Sequence, residues 1–260
     1  MQQPYADDEI AERKTRKPNK KKRNKGLPNK VVVIKNADKD VGNWSESWSH
    51  PKTRSPGHIP HSFRLLALGA PGRGKTNYMK NIFLKHQSSG KKFQRLIVVT
   101  CDLSSREWED MEPDMFIDKL PDIEIFEDPI KTCVIIDDYE FEKCGKEEMR
   151  KLTTLFRMIS SHKSVSVMAS YQSFFHCPAI ARKTANCFII YKPTSENELQ
   201  TISNRVGIKY DDLKYMFKKY ANGFFDMIFV DLTKDTPYFI RKNIYEIIDY
   251  NSDSEAELSD

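Results

Sequence analysis

The chain has 260 residues, of which 39% are hydrophobic and 30% charged, with a net charge of +5 and a mean hydropathy of −0.63. No apolar run approaches the ~20 residues of a membrane-spanning helix, and the N-terminus does not have the pattern of a signal peptide, so we expect no membrane partner. The five cysteines show no CxxC spacing, which argues against a cysteine metal site.

The N-terminal segment is strongly basic and shows no sustained helical or strand period. Nine residues between Arg13 and Lys25 are Lys or Arg, and none in that span is acidic. We predict a disordered extension over residues 1–57, one folded domain over 58–248 and an acidic disordered tail over 249–260. The basic segment would attract polyanions such as DNA; the alternatives are a solvated tail or a nuclear-import signal.

In the predicted domain, short apolar runs alternate with longer amphipathic stretches. This alternation favours an α/β fold of three layers, with a mainly parallel central sheet covered by helices on both faces. The predicted strands lie in residues 63–70, 95–100, 133–137, 165–170 and 187–191, followed by a closing pair in 224–232 and 237–243. The predicted helices are residues 76–86, 147–161, 196–204 and 211–220.

The segment Gly69–Thr76, GAPGRGKT, fits G-x-x-x-x-G-K-[ST] between a predicted strand and a predicted helix. Its glycines allow backbone amides to converge on a phosphate, at the positive end of the helix dipole. Lys75 would reach the β- and γ-phosphates, and the Thr76 hydroxyl would bind Mg²⁺. The alternative is a tight strand-to-helix turn. The residues expected to bind a nucleotide are Gly69, Ala70, Pro71, Gly72, Arg73, Gly74, Lys75, Thr76 and Asn77.

Two carboxylates, Asp137 and Asp138, follow the apolar run CVII. A buried strand that ends in a carboxylate places it at the sheet edge where ligands of α/β folds bind. We expect Asp137 to hold Mg²⁺ through water. Asp138 stands where many ATPases carry a glutamate that polarises the attacking water. A solvated turn after the strand is the alternative.

Two further residues complete the predicted site. Gln172 follows the run VSVMASY, and would face the γ-phosphate if that strand lies beside the Asp137 strand; the alternative is the N-cap region of a helix. Arg182 precedes the last predicted parallel strand, where a neighbouring subunit could deliver it to the transferring phosphoryl group. Arg150 and Arg157 are the competing candidates for that role.

This order of motifs resembles the genome-packaging ATPases of poxvirus-type large DNA viruses and virophage-like elements, within the FtsK–HerA division of P-loop motors. The resemblance covers residues 59–245, and its more specific features are Gln172 and the P-x-x-x-R arrangement of Pro178–Arg182. It implies a P-loop ATPase that uses ATP and Mg²⁺, with catalytic residues Lys75, Asp138, Gln172 and Arg182. Asp138 departs from the glutamate usual in cellular members.

The resemblance also implies partners and a location. We expect a homo-oligomeric ring, a hexamer or a pentamer, that moves double-stranded DNA into a capsid and contacts a capsid protein. Its place would be the virus assembly site of an infected host cell, in a cytoplasmic factory or the nucleus, or the virion itself.

Three other functions share parts of the pattern. A nucleoside or nucleotide kinase uses the same loop, but we find no clear arginine-rich lid. A GTP-driven switch is disfavoured because no Asn-Lys-x-Asp or Thr-Lys-x-Asp motif is present. A DNA- or capsid-binding adaptor that binds ATP without hydrolysis is disfavoured by the intact Lys75, Thr76 and Asp137.

Overall fold

A computed structural model describes residues 31–33, 59, 61–88, 93–128, 130–234, 239–244, 246–248 and 250, with only the backbone described for 31–33 and 86–88. The strands are β1 (Val31–Val33), β2 (Arg64–Leu68), β3 (Arg95–Thr100), β4 (Met115–Ile117), β5 (Thr132–Asp137), β6 (Val165–Tyr171), β7 (Cys187–Tyr191), β8 (Met227–Asp231), β9 (Ile240–Lys242) and β10 (Glu246–Ile248). The helices are α1 (Lys75–Ser88), α2 (Lys146–Thr154), α3 (Ser160–His162), α4 (Ala179–Thr184), α5 (Glu196–Val206) and α6 (Tyr210–Lys219).

One sheet organises the described residues, in the order β1-β10-β9-β8-β7-β2-β6-β5-β3-β4. The six strands from β7 to β4 in this order run parallel, and β8, β9, β10 and β1 extend the sheet with antiparallel pairings. This confirms the predicted parallel centre and the closing strand pair. The parallel strands are nearly continuous apolar runs because both faces of this part of the sheet are covered.

The core divides into two clusters, one on each face of the sheet. Alternate residues of β2 belong to different clusters: Leu66 and Leu68 pack on one face, Leu65 and Ala67 on the other. The first cluster includes residues of α4, α5, α6 and the helical segment 152–159. The second includes the α1 side chains Met79, Ile82 and Phe83 and the nearby Trp108. The predicted three-layer arrangement is therefore present.

The folded body extends beyond the predicted boundaries at both ends. Val31–Val33, inside the segment predicted to be disordered, forms β1 and pairs with Glu246–Ile248. Three consecutive β-branched residues favour a strand, and their basic surroundings obscured this short signal. Tyr250, assigned to the acidic tail, is buried, and its hydroxyl donates to Asp212 over 2.7 Å. The basic segment between Arg13 and Lys25 and residues 251–260 lie outside the described residues.

The predicted helix over residues 147–161 is interrupted by a π-helical turn at Leu155–Ile159. Hydroxyl groups on both sides of this turn hydrogen-bond to carbonyls four residues earlier, as from Thr153 to Met149 and from Ser160 to Phe156. Such back-bonding competes with the regular helix and bends it. Within the described residues no helix is long and apolar enough to cross a membrane.

Candidate nucleotide-binding site

The segment between β2 and α1 adopts a conformation that requires its glycines. Gly72 and Gly74 have φ angles of +74° and +90°, which side chains other than glycine rarely adopt. A Cβ on Gly69 would lie 2.7 Å from Cβ of Tyr191, so the backbone there packs directly on β7. The sequence pattern therefore corresponds to a specific loop geometry at the carboxyl end of β2, and not only to a glycine-rich composition.

Lys75 begins α1 and turns back over this loop. Its Nζ donates to the carbonyl oxygens of Gly69 and Ala70 at 2.8 and 3.2 Å. The side chain is buried, and burial lowers its pKa, opposed by the nearby charges of Asp138 and Asp137. The ammonium group is therefore next to the loop backbone and within the field of both predicted carboxylates.

Asp137 ends β5, and its carboxylate accepts two short hydrogen bonds. The Thr76 hydroxyl donates to Oδ2 over 2.9 Å, and the Ser170 hydroxyl donates to Oδ1 over 2.6 Å. Burial raises the pKa of Asp137, opposed by these two bonds, and the charges of Asp138 and Glu107 raise it further. The structure thus joins the glycine-rich loop to the carboxylate, as the sequence predicted.

Ser170 connects the Asp137 carboxylate to the backbone of Asp138, a role that sequence reasoning did not assign. Its hydroxyl donates to Asp137 and accepts from the backbone N–H of Asp138 over 2.9 Å. Asp138 has a φ of +46°, an unusual conformation for a residue with a side chain. The serine therefore holds the turn at Asp138, directly after the Asp137 carboxylate. The only sequence signal was a small polar residue at the end of an apolar strand.

Asp138 and Gln172 line one cavity of about 410 Å³, together with Ser170 and residues 139–143, 171 and 176. The strand β6 lies between β2 and β5, so Gln172 follows a strand adjacent to that of Asp137, the condition on which its expected role depends. Both side chains are exposed. They are placed to contact a small molecule or a water molecule in that cavity.

The loop that carries Gln172 is fixed from α5. The buried carboxylate of Glu198 accepts from the Ser173 hydroxyl over 2.8 Å and from the backbone N–H of Phe174. Sequence reasoning missed Glu198, because a glutamate in the first helical turn usually serves only to favour the helix N-terminus. Here it fixes the position of the loop between β6 and α4.

Arg182 lies in the last turn of α4. Its guanidinium carbon is 5.4 Å from the centre of the Phe174 ring, and its Nε has no hydrogen-bond partner among the described residues. It is absent from the lining of the cavity that contains Asp138 and Gln172. Residues 69–77 of the glycine-rich loop are not in that lining either. Arg150 and Arg157, the competing candidates, are both exposed.

The remaining loop residues point in different directions. Pro71 and Asn77 are exposed. The Arg73 guanidinium donates to the carbonyl of Phe224 over 2.8 Å and lies 4.2 Å from the centre of that ring. Its side chain therefore links the glycine-rich loop to the loop that precedes β8.

No protein-family profile and no curated protein matches this chain. Among solved structures it is similar to the genome packaging NTPase B204 of Sulfolobus turreted icosahedral virus 2 in complex with sulfate, with 16% identity and a TM-score of 0.51 over 71% of this chain and 96% of that one. The DNA-packaging ATPase B204 of Sulfolobus turreted icosahedral virus is similar with 16% identity and a TM-score of 0.50, over 68% and 95% of the two chains. The chain has the fold of a P-loop NTPase.

The donor groups of this P-loop NTPase fold fit a magnesium ion bound together with a nucleotide. Mg²⁺ prefers oxygen ligands and commonly takes one or two from the protein, with the rest from water and phosphate. The Thr76 hydroxyl and the Asp137 carboxylate supply such oxygens within hydrogen-bonding distance of each other. The described residues contain no cluster of three or more His, Cys, Asp or Glu side chains that could hold a metal ion.

Proposed function

We propose that this protein is an ATPase that translocates double-stranded DNA and packages a viral genome into a capsid. The observation that carries the proposal is the hydrogen bond between Thr76 and Asp137, which unites the phosphate loop with the carboxylate of a parallel strand. The fold shared with B204, described as a genome-packaging NTPase and a DNA-packaging ATPase, supports the choice of this activity among those that use a P-loop.

Residues 69–77 would bind the triphosphate of ATP. The backbone amides of the loop and the start of α1 would donate to the β-phosphate. Lys75 would exchange its carbonyl partners for phosphate oxygens, to which its charge gives a stronger hydrogen bond. Thr76 and Asp137 would hold Mg²⁺, which, when bound, neutralises charge on the β- and γ-phosphates.

Asp138 and Gln172 would act on the attacking water. The oxygen of a water molecule would attack the γ-phosphorus while Asp138 accepts a proton from that water, and ADP would leave. Gln172 would hold this water by its side-chain amide, or detect the γ-phosphate. Their shared cavity supports this division of roles, because both residues line it.

Arg182 would act on the nucleotide of an adjacent subunit. This role would require an assembly of several copies, in which Arg182 of one copy reaches the transferring phosphoryl group bound to the next. An arginine supplied in this way stabilises the charge that develops on the γ-phosphate oxygens. A ring of five or six copies would meet this requirement and would surround a DNA duplex.

The DNA and capsid partners are proposed from the sequence and from the genome-packaging activity of B204. The basic residues between Arg13 and Lys25 would contact DNA phosphates or a capsid protein. The site of action would be the place where capsids are filled in an infected cell, in a cytoplasmic factory or the nucleus.

The experiment that tests this function measures ATP hydrolysis with and without duplex DNA, with the size of the assembly determined in the same buffer. We expect duplex DNA to raise the rate several-fold and the active species to be larger than a dimer. Asp138→Asn is the matched variant, since it keeps the size of the side chain and removes its basicity; we expect it to bind ATP and to hydrolyse it slowly.

Other outcomes would identify a different activity. Phosphate transfer to a nucleoside, with no response to DNA, would show a kinase. Binding of ATP without hydrolysis in the presence of DNA would show an adaptor. Either result would contradict the packaging proposal.

A further inference from the structure

Two exposed aromatic side chains stand next to each other on the turn between α6 and β8. Phe224 and Phe225 are 58% and 63% exposed, and their ring centres are 5.0 Å apart in an edge-to-face arrangement. Exposing two large apolar rings on one short turn is unfavourable for an isolated domain. Such a pair indicates a surface that binds a partner or ligand with an apolar face.

The turn that carries these rings is held rigidly by Asp226. Its carboxylate accepts from the backbone N–H of Gly223 over 3.0 Å and from the Asn243 side chain over 3.2 Å, and its own N–H donates to the Gly223 carbonyl. A Cβ on Gly223 would lie 2.8 Å from the carboxylate, so the Asp226 side chain packs closely on the backbone there. The two rings are therefore presented by a preorganised turn, which reduces the entropy lost when a ligand binds.

The turn lies beside the glycine-rich loop. Arg73 of that loop donates to the Phe224 carbonyl and stacks on the Phe224 ring. A Cβ on Gly74 would lie 3.8 Å from the edge of the Phe225 ring. The sheet explains this proximity, because β8 runs antiparallel to β7 and its first residue, Met227, pairs with Tyr191 at the end of β7.

A buried hydroxyl lies in the same place. The Tyr191 Oη would be 3.6 Å from a Cβ on Gly74, and it has no hydrogen-bond partner among the described residues. Burying an unpaired hydroxyl is costly, and such groups are rare outside sites that a ligand or a water molecule completes. The region where the glycine-rich loop meets the turn thus contains an unsatisfied hydroxyl group as well as two exposed rings.

We infer that Phe224 and Phe225 form the platform on which the base of the bound nucleoside triphosphate stacks. This inference rests on the proposed nucleotide binding and adds the group that recognises the base. The phosphates would lie against the amides near Gly74, and the base, one ribose away, would reach the Phe225 ring. Stacking needs only a flat π-face, and Arg73 on the other ring adds a cation–π contact to the platform.

The test compares a nucleotide with a triphosphate that lacks the nucleoside, that is, the base and its ribose. The affinities of magnesium ATPγS and of magnesium tripolyphosphate are measured by calorimetry for the wild type and for F224A, F225A and the double variant. We expect the double variant to bind ATPγS about tenfold more weakly, since stacking on an aromatic side chain typically contributes this much or more. Its affinity for tripolyphosphate should stay within about twofold of the wild type, because the phosphate loop is unchanged. F225W should retain the affinity for ATPγS.

The control variant is L84A, which removes another exposed apolar side chain, from α1 and away from the turn; it should leave both affinities unchanged. Equal loss for ATPγS and tripolyphosphate would overturn the inference, because the turn would then only support the phosphate loop. No loss for either ligand, or a loss confined to duplex DNA, would also overturn it. If wild-type protein binds ATPγS but DNA does not stimulate hydrolysis, the packaging proposal fails and the base platform remains.

Discussion

The Thr76 hydroxyl donates a hydrogen bond to Oδ2 of Asp137 over 2.9 Å and so joins two residues 61 positions apart in the sequence. The bond crosses from the start of α1 to the end of β5, with β6 lying between β2 and β5 in the sheet. This arrangement brings a hydroxyl and a carboxylate, both ligands that Mg²⁺ prefers, to the edge of the sheet where the phosphate loop begins.

Replacement of Asp137 by asparagine should lower ATP hydrolysis without lowering the free energy of unfolding. Burial raises the pKa of Asp137, which means that the folded protein disfavours its charge. We therefore expect Asp137→Asn to leave the free energy of unfolding within about 1 kcal/mol of the wild type or to increase it. Under the proposed function ATP hydrolysis should fall roughly 100-fold, because the carboxylate expected to hold Mg²⁺ through water is lost. Denaturant unfolding and steady-state hydrolysis measure the two effects. A marked loss of stability with activity retained would show that Asp137 is only structural.

Arg182 should act between subunits. In Arg182→Ala we expect ATPγS affinity within about twofold of the wild type and hydrolysis lowered about 1000-fold, the range typical of an arginine supplied in trans. A mixture of Arg182→Ala and Lys75→Ala subunits should recover part of the activity, because some interfaces then combine an intact Lys75 with an intact Arg182. Arg150→Ala and Arg157→Ala are the comparisons. If one of them, and not Arg182→Ala, shows this behaviour, the role belongs to that arginine.

His61 should make the fold sensitive to acid. Burial, with the charge of Lys131, lowers the pKa of His61 from 6.5 to about 4. The folded state therefore binds fewer protons at this group than the unfolded state, and its full contribution to stability is present only above pH 6.5. As the pH falls from 6.5 to about 4, the free energy of unfolding should decrease by up to about 3 kcal/mol from this group alone.

Unfolding by urea at several pH values measures this loss. His61→Gln should flatten the dependence between pH 6.5 and 4, whatever its effect on stability at pH 7. His162→Gln, at an exposed position in α3, is the control and should retain the slope. An unchanged slope in His61→Gln would contradict the assignment.

The features that could be predicted from the sequence are those encoded in local patterns. The glycine-rich loop is a contiguous motif, and the strands next to it are apolar runs with a clear beginning and end. The two aspartates directly follow one of these runs. Because ligands bind at the carboxyl ends of parallel strands, the approximate position of Asp137 and Gln172 followed from the order of the elements.

The remaining features depend on contacts between distant parts of the chain. Ser170, Glu198 and the turn at Phe224 have no motif, and their roles appear only when the sheet places them beside residues from other elements. The strands β1, β4 and β10 have three residues each, too few for a period of two to be recognised. The π-helical turn is accompanied by hydroxyl back-bonding on both sides, which a hydrophobic pattern does not reveal.

The central claim is that residues 69–76 hold the phosphates of a nucleoside triphosphate, and direct binding of magnesium ATPγS tests it. The wild type should bind this ligand, and Lys75→Ala should bind it at least roughly tenfold more weakly, because the variant lacks the charge that contacts the phosphates. Lys163→Ala, at an exposed position just before β6, should bind it as the wild type does. Wild-type protein with no affinity for magnesium ATPγS, or Lys75→Ala with unchanged affinity, would contradict the account.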